Sequence, residues 1–229
     1  MHYLTPLEKS YRNHAAQERA VQMAHYMKDH FAYFGIPSPL RKEIERDFFH
    51  AHGKPDINDL PAVIRESYKK PQREFQYFAI GVTAKFVKHL PEDFIETAHF
   101  MITTKSWWDT VDAIATDIVG MLVLRYPHLV KLMDAWLGDE NFWLQRTALL
   151  HQLRYKKQTN EKRLFAYCLR HAEQKEFFIR KAIGWALREY SKTNPAAVKK
   201  FVKSAPLSNF SRREALKWIE KKAAVEKDD

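Results

Sequence analysis

The chain has 229 residues, 45% of them hydrophobic and 14% aromatic, enough to bury a sizeable core in one large domain or two small ones, which excludes a disordered tail. Its formal charge is +10, and from Lys175 onward 14 Lys or Arg stand against 7 Asp or Glu, so the last quarter alone carries +7. So lopsided a field favours an anionic partner, nucleic acid before others, and the competing reading is a basic surface that only keeps the protein in solution.

Only 6 Gly and 10 Pro, with no sustained alternation of β-branched residues, read as long helices. The opening stretch MHYLTPLEKSYRNHAAQERA has no apolar core of signal-peptide length, and no run of about 18 apolar residues occurs, so a cytoplasmic protein with no membrane partner is expected. A single cysteine, Cys168, rules out an internal disulfide framework and reads as a packing residue. Along the chain, helix breaks are expected at Gly35 to Pro39, Gly53 to Asn58, Lys70 to Pro71, Leu90 to Pro91, Tyr126 to Pro127, Gly138 to Asp139, Thr193 to Pro195 and Ala205 to Ser208. Several of them place Pro or an Asx or Ser residue where the next helix would start, as in SPLRKEIERDFF and TNPAAVKKFV.

Phe75, Trp107, Phe142, Phe177 and Phe210 recur at intervals of 32, 35, 35 and 33 residues, each near the opening of an expected helix. That period suits a two-helix repeat. The expectation is an all-α fold, one domain over residues 1–229, built as a solenoid of HEAT-like antiparallel helical pairs that forms a curved array with a basic concave face. An irregular bundle with coincidental spacing is the alternative. Trp107 holds a repeated position and is the core candidate of the pair Trp107 and Trp108.

No cofactor or metal is expected. The eleven histidines include no HExxH, a lone cysteine cannot anchor a thiolate site, and His128 and His151 read as surface or boundary residues. Gly81 in YFAIGVTA and Gly184 in KAIGWAL are isolated within helical patterns and suggest close helix packing, with no phosphate-binding loop. What remains is carboxylate, Trp and Arg. In TKSWWDTVD, Trp108 and Asp112 lie four residues apart on one helix face. A carboxylate in a basic groove weakens polyanion binding unless it does chemistry. Breaking a purine–deoxyribose bond builds positive charge on the sugar, which a fixed carboxylate stabilises in the transition state, and Asp112 could also orient the attacking water. Trp108 and Trp185 would offer flat walls to a cation, Arg146 a planar fork for a phosphate, and Lys181 and Arg188 share the face of Trp185. The plainer readings are core packing for Trp108 and Trp185, a salt bridge from Asp112 to Arg146, a local contact between Asp109 and Lys105, and a solvated stripe for Arg180, Lys181, Arg188 and Lys192.

TKSWWDTVD, FWLQR and KEFFIRKAIGWALREYSKTNP, together with AHYMKDHFAYFGIPSPLRKEI near the N-terminus, closely resemble the bacterial DNA alkylation repair glycosylases of the AlkD family, over nearly the whole chain. The resemblance implies a monomeric, monofunctional glycosylase that excises 7-methylguanine and 3-methyladenine from duplex DNA without flipping the base, leaving an abasic site. It implies Asp112 as the catalytic aspartate, Trp108 and Trp185 as DNA-facing tryptophans and Arg146 as the phosphate-binding arginine. Arg188 and Lys192 would contact the DNA backbone, and Tyr26 and Ser38 would lie near the DNA. A HEAT-like module that binds damaged or branched DNA without cleaving it, and a protein-binding solenoid, stand as the other classes.

Overall fold

The structure is a computed structural model that describes residues 3–228. It is all-α, and the described residues contain no strand, only an isolated bridge between Ala32 and Gln72. The chain forms two compact units, Met1–Thr97 and Ala98–Asp229. No helix among the described residues is long and apolar enough to cross a membrane.

In the first unit α1 (Thr5–Asn13), α2 (Gln17–Tyr26), α3 (Ser38–His52), α4 (Leu60–Lys69) and α5 (Arg73–Phe86) pack round an aromatic centre. Tyr11, Phe34 and Phe75 meet at ring-centroid distances of 5.4 to 5.9 Å, and Phe48 meets the edge of Phe78 at 5.9 Å. Buried charge is woven into this core. Glu74 is fully buried, and its Oε1 accepts the backbone N–H groups of Phe34, Gly35 and Ile36 at 3.0, 3.0 and 3.3 Å. Burial raises the Glu74 carboxyl above its ordinary value, against the lowering effect of those N–H groups. Glu45 takes the Tyr11 hydroxyl at 2.8 Å and Arg41 at 2.5 Å, while the buried Arg73 guanidinium sits 3.7 Å over the Phe31 ring.

α6 (Phe94–Thr103) carries the boundary between the units. In the second unit α7 (Trp108–Ala113) runs through a π-helical segment, Ile114–Val119, into α8 (Gly120–Arg125). Then follow α9 (Val130–Trp136), α10 (Phe142–Leu150), α11 (Glu161–Arg170), α12 (Phe177–Ser191), α13 (Pro195–Ser204) and α14 (Asn209–Asp228). The helices headed by the recurring aromatics are neighbours in order, α7 against α10, α10 against α12 and α12 against α14, and α9, α11 and α13 pack on them as partners. Trp107 is the residue before α7, half-buried, and Phe177 is half exposed, so at that repeat Phe178 takes the packing role.

All eight expected breaks separate helical segments, and others occur where no Gly or Pro announces them. Gly184 meets its expectation: a Cβ there would come within 2.4 Å of the Glu214 Cβ. Gly81 does not, since a Cβ would touch only Glu45 Oε2 at 3.7 Å, an ordinary contact. His151 also departs from its expectation. It is 1% exposed, with Nδ1 2.6 Å from the Ala148 carbonyl, because its place just after α10 faces the helix of Gly120 and not solvent. Cys168 is buried and free, and burial pushes its thiol up.

Candidate active site

The site grows out of the start of α7. Lys105 adopts a left-handed backbone, with φ 50°, and Ser106 donates its hydroxyl to the Ile102 carbonyl at 2.5 Å, so the chain turns sharply out of α6. Trp107 is extended, at φ −161°, and α7 begins at Trp108, with Asp112 one turn later. The π-helical segment follows directly, a wide turn of the kind that recurs near functional sites.

Asp112 meets Arg146 of α10 in a bidentate pair: Nε donates to Oδ1 at 2.7 Å and Nη2 to Oδ2 at 2.8 Å. The third arm, Nη1, donates to the backbone carbonyl of Phe178 on α12. One guanidinium therefore ties together three aromatic-headed helices. It is 2% exposed, whereas the Asp112 side chain keeps 16% of its surface. A fork that binds a carboxylate with two parallel N–H groups fixes its plane as well as its position. Of the four acceptor positions of the carboxylate, this pairing uses two.

Packed aromatics support the pair. Phe178 lies 5.2 Å from Trp107 and 4.9 Å from Trp143, Phe142 stacks on it at 6.2 Å, and the Arg146 guanidinium sits 5.8 Å from its ring. Asn141 caps α10 by accepting the Trp143 N–H at 2.9 Å, and Glu176 caps α12 through the Phe178 N–H at 3.1 Å. These caps hold the first turns from which the aromatics project.

Of the residues expected at the site, Asp112 and Arg146 are brought together. The arginine expected at a phosphate has its Nε, Nη1 and Nη2 engaged within the protein. Trp108 on α7 and Trp185 on α12 are both partly exposed, on two helices that Arg146 bridges. Lys181 and Arg188, also on α12, reach Glu214 of α14 at 2.9 and 3.1 Å. Lys192 pairs locally with Glu189 at 2.6 Å. Tyr26, 69% exposed at the end of α2, and Ser38, exposed at the start of α3, belong to the first unit. Sequence reasoning missed two participants, the Phe178 carbonyl and Glu214. A backbone acceptor has no sequence signal. Glu214, an acid inside the basic stretch SRREALKW, offered only its odd sign.

A family profile described as DNA alkylation repair enzyme matches residues 7–219. The structure is similar to one titled "Predicted DNA alkylation repair enzyme from Enterococcus faecalis", with a TM-score of 0.81 and 35% identity, covering 89% of this chain and 96% of that one. Comparison with curated proteins yields no match. With the profile spanning both units and the solved structure agreeing in fold and sequence, the chain belongs to the DNA alkylation repair enzyme family, whose partner is DNA.

Proposed function

We propose that the protein is a monofunctional alkylpurine DNA glycosylase, acting as a monomer on duplex DNA in the cytoplasm and removing purines that alkylation at N7 or N3 has made cationic. The observation that carries this reading is the bidentate Asp112–Arg146 pair, which presents a carboxylate of fixed orientation with half its acceptor positions unspent. In the reaction the bond from C1′ to the purine nitrogen breaks, and its electrons neutralise the cationic base, which leaves uncharged. Positive charge passes to the sugar. Water adds to C1′ and releases a proton, leaving an abasic site in an unbroken strand.

Asp112 faces the charge that develops on the sugar, or accepts a hydrogen bond from the attacking water. Arg146 is assigned here to orient Asp112 and not to grip a phosphate, since each of its nitrogens already donates within the protein and its side chain is buried. Trp108 and Trp185 are assigned as walls to the cationic nucleotide. Because the lesion already carries its charge, no group need protonate the base, and neutral lesions such as 8-oxoguanine are expected to be poor substrates.

The test is release of free 7-methylguanine from methylated duplex DNA, with abasic sites counted in parallel and D112N run beside the parent. The expected result is release by the parent, with D112N bound to DNA but slowed by about a hundredfold or more. Release at the parental rate by D112N removes Asp112 from the mechanism. Salt-sensitive DNA binding with no release by the parent moves the assignment to a damage-recognition module.

A further inference from the structure

Glu214 is 3% exposed, yet it meets three cations. Its Oε2 accepts from Lys181 Nζ at 2.9 Å and from Arg188 Nη1 at 3.1 Å, and its Oε1 accepts from Lys217. Burial works against ionisation, but Lys217 and Lys181 outweigh it and hold the carboxyl below its ordinary value. Lys181 and Arg188 lie on one face of α12 about two turns apart, and Trp185 lies between them. The approach that lets both reach one oxygen depends on Gly184, where a side chain would strike Glu214.

A buried carboxylate is a poor way merely to join two helices, because an apolar side chain of the same volume often serves as well or better. What the carboxylate adds is convergence. Two like charges drawn to a single oxygen would separate without it. The cations are not consumed by the contact: Lys181 and Arg188 keep 36% and 27% of their side-chain surface. An ammonium has three donors and a guanidinium five, so most remain available to another acceptor. With Lys217 the cluster keeps a net positive charge.

We propose that Glu214 is a positioning residue for DNA: it sets Lys181 and Arg188 as a convergent pair of donors for a backbone phosphodiester on the strand that passes Trp185. The inference rests on the reading that this face of α12 meets DNA, and it does not depend on base release. It predicts a result that charge alone would not. Removing a negative charge from a DNA-binding surface should tighten binding, whereas releasing two positioned phosphate contacts should weaken it and lower its salt dependence.

The experiment measures binding to an undamaged duplex across a salt series for the parent, E214Q, K181A/R188A and the triple variant, with melting temperatures alongside. K181A/R188A should lower the log–log salt slope by about two. E214Q should weaken binding about tenfold and lower the slope in the same direction, and it should add nothing in the K181A/R188A background. Should E214Q fail to fold, E214D draws the charge back by one methylene and should show the same signs with smaller size. Tighter binding by E214Q, an unchanged slope with only a lower melting temperature, or a further full loss in the triple variant would each overturn the role. A parent that binds duplex with no salt dependence overturns the DNA-facing reading of α12 itself. Loss of base release with these binding results intact overturns only the glycosylase assignment.

Discussion

Glu74 of the first unit and the two carboxylates of the second unit's candidate site take up different partners. In the first, Glu74 serves backbone N–H groups: it gathers the turn at Phe34 to Ile36, and burial keeps its carboxyl disposed to hold a proton. In the second, Asp112 and Glu214 serve cations, each accepting from side chains of neighbouring helices. An acceptor for N–H groups need not be charged. An acceptor for guanidinium and ammonium groups works through its charge. The contrast separates a carboxylate that builds the fold from carboxylates that hold other charges in place.

Removing Arg146 should break the comparison most severely. R146A leaves Asp112 as a partly buried unpaired charge, with a cost of about 3 kcal/mol in stability by denaturant titration, the low end for broken buried pairs because Asp112 retains some contact with water. Base release should fall with it even in the folded protein, since Asp112 loses its orientation. The amide pair E74Q and D112N sharpens the contrast. D112N should lose about a hundredfold or more in single-turnover release. E74Q should cost about 1–3 kcal/mol, because its amide oxygen still accepts the three N–H groups while its NH2 takes the place of Oε2, which has no hydrogen-bond partner among the described residues; a larger loss at position 74 would show that its charge matters after all.

Acid should destabilise through His151. Burial holds its imidazole down to about 4, against the opposing effect of its bond to Ala148. Its folded value lies below the unfolded one, so between about pH 6.5 and 4 the unfolded chain takes up a proton that the folded chain refuses. Stability present above that window is lost across it, on the order of 3 kcal/mol. His171 is displaced in the same direction and adds to the slope. Unfolding free energies at pH 7 and pH 5 check this, and His151→Asn should flatten the dependence. The smallest effect belongs to Lys156, left-handed at φ 52°, where Lys156→Gly should relieve strain of about 1 kcal/mol.

The residue types at the breaks explain how much of the fold was legible. Breaks marked by Gly, Pro and Asx residues could be read directly, because those residues bias the backbone by themselves. The unread breaks include left-handed turns made by lysines, at Lys28, Lys105 and Lys156. Tertiary packing imposes those conformations, and no local propensity announces them. At the site, the face shared by Trp108 and Asp112 and the repeat spacing were visible in the sequence. The partner of Arg146 was not, since a phosphate and a carboxylate ask the same thing of a guanidinium, and both readings stood open. Glu214 was hidden because its function depends on α14 lying against α12.

The π-helical segment after Asp112 settles a matter of phase. Asp112 meets α10 at Arg146, and Gly120 meets the chain just after α10, where an added Cβ would come within 2.3 Å of the His151 carbonyl. In an uninterrupted α-helix eight residues overshoot two turns by about 80°, which would set the two on opposite flanks of one helix face. The wider turn absorbs the excess. Deleting one residue between Ile114 and Val119 would restore regular winding with the two seven residues apart, about 20° short of two turns, so both contacts with α10 should survive and only the wide turn beside Asp112 would be lost.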